Sequence, residues 1–427
     1  MITINQLNDL AFQRKLLLLE VFAVFLLWGG AALGESSDPD VVARAEKCGS
    51  HMYFLKDNSV QPDEYADGPG PKARFLRPQG IAIDAQGMLY IADNGNFAIR
   101  RITPAGIVTT LAGTPGRQGC SDGKGSQASF YRVNSIAVDK EGALFALDAS
   151  TNKIRRVSSS GQVNTLKIRE APPTFDGKSV PMSIENSTPM GIAIDSSYIY
   201  VTLPNAVLRI TQDGSQEVLA GSPKSYGAYA PERQDQEGRR DGKGGAARFG
   251  SAHGIAVDSK GTVYVTDGVI KSILPHGDVN TFAGVEYDFS ISQNSSIDGD
   301  AHTSRFFVPE GVAVDRNGNL YVADRRNSTI RKVSPDGWVT TLAGTPGKAG
   351  SQDGTGTEAR FVSPTAITVD GDGNLYVADS MDNTIRKVTA SGVVTTIAGL
   401  SSFRQGIREA AQDQSKMRAK PNAEGNR

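Results

Sequence analysis

The phrase Gly-Ile-Ala-Val-Asp and its variants return six times along the chain, ending at Asp84, Asp139, Asp195, Asp258, Asp315 and Asp370. The spacings are 55, 56, 63, 57 and 55 residues. Self-similarity at a fixed period of this size marks a solenoid, a propeller or an array, because one unit cannot bury its apolar face alone and must stack on copies of itself. No other feature limits the fold so strongly. It also sorts the residues: what recurs in every copy serves the scaffold, and function belongs where the copies differ.

In the fifth copy, Gly311-Val312-Ala313-Val314-Asp315 is a short β-branched run, Asn317-Gly318 a turn signal, and Leu320-Tyr321-Val322-Ala323-Asp324 a second run. Ile330 to Val333 form a third, Pro335-Asp336-Gly337 a turn, and Trp338 to Ala343 a fourth. Four short strands joined by Gly-containing turns predict an antiparallel meander. Stacking six meanders around an axis protects their edges, so the expected fold is all-β: a six-bladed β-propeller of four-stranded antiparallel blades. The last copy carries its own fourth strand, Val394 to Ala398, so closure needs none from the N-terminus, although Met52 to Leu55 offers a further edge.

A second element recurs between copies: Asp-Gly, small residues, then Phe. It reads Asp67-Gly68 to Phe75, Asp122-Gly123 to Phe130, Asp241-Gly242 to Phe249, Asp298-Gly299 to Phe306 and Asp353-Gly354 to Phe361, with a degenerate copy at Asp176-Gly177. Its composition suits a turn or cap that drops an aromatic between blades. The alternating oxygen ligands of an EF-hand calcium loop are missing from it.

The repeated unit, with its Asn-x-x-Ile-Arg-Lys-Val third strand (Asn327 to Val333), resembles the NHL repeat. From about Asp67 to Gly399 the chain resembles an NHL-repeat six-bladed propeller, most closely in copies one, five and six. Residues 1–34 read as a signal peptide or signal anchor, 35–66 as a lead-in, 67–399 as the propeller and 400–427 as a polar, disordered tail.

The copies can be compared with one another. The second strand ends at Asp93, Asp148, Asp267, Asp324 and Asp379, and a basic residue follows in the third strand at Arg100, Arg155, Lys271, Arg331 and Arg386. In the third copy both are replaced, by Leu203 and Leu208. Joint loss predicts a carboxylate–cation pair between the two strands, since removing one partner alone strands a charge. These aspartates are therefore expected to be structural, not a catalytic or metal-binding ring.

The formal net charge of −1 leaves no basic excess for binding nucleic acid through counterion release. Arg14-Lys15 precede an apolar run from Leu16 to Gly34, and Ala32-Leu33-Gly34 supplies small residues before Glu35. That is the pattern of a signal peptide cleaved before Glu35; the run is also near the ~20 residues that span a bilayer, so an uncleaved anchor is an alternative. Either way the propeller is expected outside the cytosol, secreted or anchored, meeting the membrane only through this segment. Cys48 and Cys120 are the two cysteines; in an oxidising compartment they can staple the lead-in to the propeller or stay as thiols. Asn186, Asn294 and Asn327 head Asn-x-Ser/Thr tripeptides, acceptors in a eukaryotic secretory pathway.

The residue before each first-strand glycine is expected near the axis, on the face where the connectors and second hairpins open. Around the ring these residues are Gln79, Asn134, Met190, His253, Glu310 and Thr365; in copies two and six Ser135 and Ala366 stand in place of the glycine. Six unlike residues in an otherwise constant segment suit a ligand mouth, although solvated loop positions also drift. Long connectors on the same face carry Tyr226, Tyr229, Arg239-Arg240, Tyr287 and Phe289, and the hairpins carry Phe97 and Arg325-Arg326. Aromatics and arginines of this kind are enriched at interfaces.

Two functions follow. The first is an exported binding or scaffold module for a protein or glycan, with no cofactor. The second comes from a similarity to six-bladed calcium-dependent lactonases and esterases of the gluconolactonase and paraoxonase kind: Glu310, Asn134 and Gln79 would hold calcium and His253 would act as base. One carboxylate is few for calcium, and four His residues, with only His253 at the ring, argue against a multi-histidine zinc site. No H-E-x-x-H or P-loop is present, and the one G-x-S-x-G match, Gly119 to Gly123, falls in an Asp-Gly connector and not on a strand-to-helix turn, so the binding module is the primary reading.

Overall fold

The computed structural model describes residues 64–169, 187–222, 239–285 and 296–402, with the short pieces 174–175 and 178–179 and residue 184. Among the described residues six antiparallel blades follow one another, with a separate two-stranded sheet, Thr174–Phe175 with Lys178–Ser179, between the second and the third. Blade 1 is Pro78–Ile83, Leu89–Asp93, Ala98–Ile102 and Ile107–Ala112. Blade 2 runs from Val133–Val138 to Gln162–Thr165, blade 3 from Gly191–Ile194 to Gln216–Gly221, and blade 4 from Ile255–Val257 to Asp278–Ala283. Blade 5 runs from Pro309–Val314 to Val339–Gly344 and blade 6 from Pro364–Val369 to Val393–Gly399. Blade 6 thus holds its own fourth strand. Met52 to Leu55 lie outside the described residues.

The connector adds a fifth, two-residue strand to the outer edge of its own blade. Gly68–Pro69 pairs with the fourth strand of blade 1, and Gly123–Lys124, Gly242–Lys243 and Gly354–Thr355 do the same in blades 2, 4 and 6. In blade 5 the contact shrinks to a bridge between Gly299 and Val339. These caps occupy part of an edge that would otherwise invite pairing with another chain.

The core lies between blades. Six apolar clusters each join two neighbours; one unites Ile81, Leu89 and Ile91 of blade 1 with Ala378, Ile385 and Ala398 of blade 6, which closes the ring. The aromatic of the connector falls into these seams, with Phe75, Phe130, Phe249, Phe306 and Phe361 all buried.

The recurring first-strand aspartate organises the turn on the far face. Asp84 Oδ1 accepts the N–H groups of Gln86 and Met88, and Oδ2 accepts the Tyr90 hydroxyl at 3.0 Å. Asp315 and Asp370 repeat the pattern with Tyr321 and Tyr376. Burial first, and the carboxylate second, push these three tyrosines up to about 12.

Near the axis the first-strand glycines exist because there is no space for a side chain. A Cβ on Gly254 would lie 1.9 Å from the Glu310 carbonyl oxygen, and one on Gly191 2.5 Å from that of His253. Inner strands of successive blades therefore touch through backbone. Among the described residues no helix is long and apolar enough to cross a membrane. Residues 1–34, and most of the tail, lie outside the description.

Candidate binding mouth

The expected pairs form in four blades. Arg100 Nη1 lies 2.7 Å from Asp93 Oδ2 and Arg331 Nη1 3.0 Å from Asp324 Oδ2, with all four side chains fully buried. The separations are longer for Arg155–Asp148 (3.9 Å) and Arg386–Asp379 (3.7 Å). In blade 3, Leu203 and Leu208 are both fully buried.

Each arginine has a second carboxylate that the sequence reading had assigned to a turn. Nη2 of Arg100, Arg155, Arg331 and Arg386 reaches Asp67, Asp122, Asp298 and Asp353 at 2.6–2.7 Å. The guanidinium also lies over the connector ring, 5.0–5.2 Å from the centroids of Phe75, Phe130, Phe306 and Phe361. Asp-Gly, Phe, strand-end Asp and Arg are thus one module. A constant separation of 33 residues between the outer Asp and its Arg was the signal available in sequence.

The inner carboxylates also bind the connector, as Leu76 N–H donates to Asp93 and Phe307 N–H to Asp324. Burial raises the pKa of Asp93 and Asp148 against the pull of their arginines and N–H donors. It pushes Asp324 up to about 6 and Asp379, which also faces Asp382, up to about 7. Burial also acts to raise outer Asp122 and Asp353, but N–H donors, threonine hydroxyls and arginine outweigh it, and both end below the usual value.

Blade 4 departs from the expectation. Lys271 does not pair with Asp267; its Nζ binds Asp241 Oδ1 at 2.7 Å and Thr281 Oγ1 at 2.9 Å. Asp267 is met instead by Arg239 Nε, 3.2 Å away, arriving from the connector. The shorter lysine serves the outer carboxylate and leaves the inner one to a guanidinium entering over Gly250 and Gly268, where a Cβ would come within 2.9 Å of it. Arg239, read as an interface residue, is a scaffold residue.

The top face is the one expected. Gly95 N–H of the blade 1 second hairpin bonds to the Leu76 carbonyl of the connector, so both open on one side. Gln79, Asn134, Met190, His253, Glu310 and Thr365 are all half-buried there. Asn94 Nδ2, from the blade 1 hairpin, donates to Gln79 Oε1 and, at 3.4 Å, to Asn134 Oδ1. Glu310 Oε1 is held by Arg325 Nη1 at 2.7 Å, and Arg325 Nε donates to Ser363 Oγ at 2.9 Å. His253 Nδ1 lies 2.8 Å from the Ser251 carbonyl, Thr365 Oγ1 donates to the Ala378 carbonyl, and Met190 N–H bonds to Thr202.

The six positions therefore share a face but not a single centre. Gln79 and Asn134 meet through Asn94; Glu310 is turned to Arg325. Sequence reasoning missed Asn94, Thr202 and Thr266; the last two bond to the carbonyls of His253 and Glu310 across blade seams. Their signal was Thr where other copies have Ala92, Ala323 and Ala378.

Asn327, read as a glycosylation acceptor, is buried with Nδ2 donating to Asp324 at 2.7 Å, so the folded chain hides it. Asn186 and Asn294 lie outside the described residues, as do Asp176-Gly177, Tyr226, Tyr229, Tyr287 and Phe289. Cys120 is not a free thiol; Cys48 lies outside the description.

A calcium site would need the oxygens of Gln79, Asn134 and Glu310 to converge. Gln79 and Asn134 turn their oxygens to Asn94 while Glu310 turns Oε1 to Arg325, so the three do not share one centre and the set, with its single carboxylate, fits the ion poorly. Among the described residues no group of three or more His, Cys, Asp or Glu side chains is placed to hold a metal.

Comparison with known proteins agrees with this architecture. The NHL repeat model matches residues 75–102 and 308–333. Together with the six blades, this makes the chain an NHL-repeat six-bladed β-propeller. NHL repeat-containing protein 2 of Gallus gallus is 26% identical over 363 residues, spanning 78% of this chain and 49% of that protein. Teneurin-3 of Mus musculus is 26% identical over 312 residues, 67% of this chain but 10% of that protein. The chain thus spans at most about half of these relatives. A structural genomics protein of unknown function from Bacteroides thetaiotaomicron shares the fold, with a TM-score of 0.57, 20% identity and coverage of 77% of this chain and 72% of that one.

Proposed function

We propose that the chain is an exported binding or scaffold module that engages a protein or glycan partner through the mouth face. The observation that carries the reading is the contrast between two sets of equivalent positions. The Asp–Arg–Asp–Phe module repeats in blade after blade, whereas the mouth positions hold Gln79, Asn134, Met190, His253, Glu310 and Thr365. A scaffold requirement would make those six alike. Unlike polar groups at one opening supply what selective recognition needs. Export rests on the apolar run from Leu16 to Gly34 and its small-residue end.

Photo-crosslinking residues placed at Gln79 and Thr365 are expected to capture one partner, and the same residue at Trp338, which is 53% exposed after the turn on the opposite face, to capture none. Equal capture from Trp338 would overturn the assignment of the mouth face. Fusing residues 1–34 to a reporter tests export: retention of the reporter in the cytosol would overturn that part. No observation favours the hydrolase reading, whose candidate ligands Gln79 and Asn134 turn to Asn94 while Glu310 pairs with Arg325.

A further inference from the structure

Blades 1 and 2 differ from the others in the same way. Two positions past the connector phenylalanine they carry Arg77 and Arg132, where blades 4, 5 and 6 carry Ser251, Val308 and Ser363. Two positions further they carry the amides Gln79 and Asn134, where the others have His253, Glu310 and Thr365. Blade 1 adds a third amide, Asn94, at a hairpin position occupied elsewhere by Ala149, Gly268, Arg325 and Ser380. One sector of the mouth is therefore built from arginine and carboxamide, and the rest is not.

The amides are already oriented. Asn94 Nδ2 donates to both Gln79 Oε1 and Asn134 Oδ1, which sets how the two amides are turned. With their oxygens turned to Asn94, the NH2 groups of Gln79 and Asn134 are the donors these two half-buried side chains bring to the mouth. Arg77 stands exposed at the lip, its backbone N–H fixed by Asn383 Oδ1 of blade 6 at 2.8 Å. Arg132 adds positive charge nearby: its pKa is lowered first by its own burial and then by Arg77. The mouth's carboxylate, Glu310, lies in blade 5 and is neutralised by Arg325.

We infer that the blade 1–blade 2 sector of the mouth recognises a carboxylate on the ligand, with Arg77 and the NH2 groups of Gln79 and Asn134 as donors. The inference rests on the binding reading above and gives it a chemistry. A guanidinium offers paired N–H groups that match the two coplanar oxygens of a carboxylate, and charge-assisted bonds of this kind are stronger than neutral ones. A neutral hydroxyl ligand satisfies the amides but leaves the arginine's charge unused.

The test is calorimetric titration of the full chain with D-glucuronate, N-acetyl-L-glutamate and uncharged D-glucose. At least one acid is expected to bind saturably and more weakly as salt is added, while glucose binds at least tenfold more weakly. Gln79→Ala, Asn134→Ala and Arg77→Ala should each weaken the acid at least tenfold with the thermal midpoint unchanged. The preferred acid shows whether the carboxylate belongs to a sugar or to a peptide. Failure of both acids to bind, or binding unchanged in the three variants, would overturn the inference. Glucose binding equal to that of the acids, lost in Gln79→Ala, would overturn the carboxylate and leave the mouth as a binding site. Mouth crosslinking with no partner captured is the separate failure of the underlying reading.

Discussion

A fully buried arginine beside a fully buried aspartate is stable only as a set, and the third blade shows the alternative that the protein itself uses. Removing one member of a buried pair typically costs about 3–5 kcal/mol, whereas replacing both with packed apolar residues is often close to neutral. Asp324→Leu and Arg331→Leu are each expected to cost that much in denaturant unfolding. The double variant, which copies Leu203 and Leu208, should cost clearly less than the sum; additive losses would remove the pair. The acidities make a second prediction. Asp379 is raised from 3.8 to about 7, so its buried charge is a penalty above pH 7. As pH falls from about 7 towards 4 the folded chain takes up that proton first, and this group's contribution to stability rises. Asp353 is lowered, so its contribution is present above its unfolded value and is lost as pH falls through its folded one. Unfolding at pH 7 and pH 5 should show a gain on acidification in the wild type that is smaller in Asp379→Asn, the remainder coming from Asp324 and the other raised aspartates.

At the scale of the blade, the connector is as much a part of the sheet as its four strands. Its Asp-Gly pair caps the outer edge, its outer aspartate takes the N–H of the fourth strand at Thr110, Thr165, Thr281, Thr341 and Thr396, and its phenylalanine fills the seam to the preceding blade. Blade 4 keeps this plan with its cations exchanged: lysine to the outer carboxylate, Arg239 to the inner. Arg239→Ala is expected to destabilise by about 3 kcal/mol, because it leaves Asp267 buried without a cation. Lys271→Arg in that background should recover most of the loss, since a longer guanidinium can span both carboxylates as in blades 1 and 5. No recovery would show that Arg239 acts by anchoring its connector and not by neutralising Asp267.

For the whole molecule, six seams around one axis bring residues far apart in sequence to a single opening, and the sectors of that opening are chemically distinct. Amides and arginines lie on blades 1 and 2, and an ion pair lies on blade 5, where Arg325 also reaches Ser363 of blade 6. This arrangement predicts no saturable calcium site at the mouth by calorimetry; a stoichiometric site lost in Glu310→Gln would return the hydrolase reading. The same ring explains the glycine at the start of the first strand in blades 1, 3, 4 and 5. Gly254 and Gly191 sit where the neighbouring blade's carbonyl comes closer than any Cβ allows.

Much of this was legible in the chain alone because repetition is its own alignment. The six-fold period determined the blades, and the joint loss at Leu203 and Leu208 determined the ion pair. The absence of recurrence at the mouth marked where to look. What needed the tertiary structure was every contact between copies or between a connector and its blade. No local pattern says that Asp67 reaches Arg100, that Arg239 replaces an arginine missing from position 271, or that Asn94 takes the carbonyls of Gln79 and Asn134. Those are matters of reach in space: strand pairing brings the ends of a 33-residue segment together, and the length of a lysine decides which carboxylate it can touch.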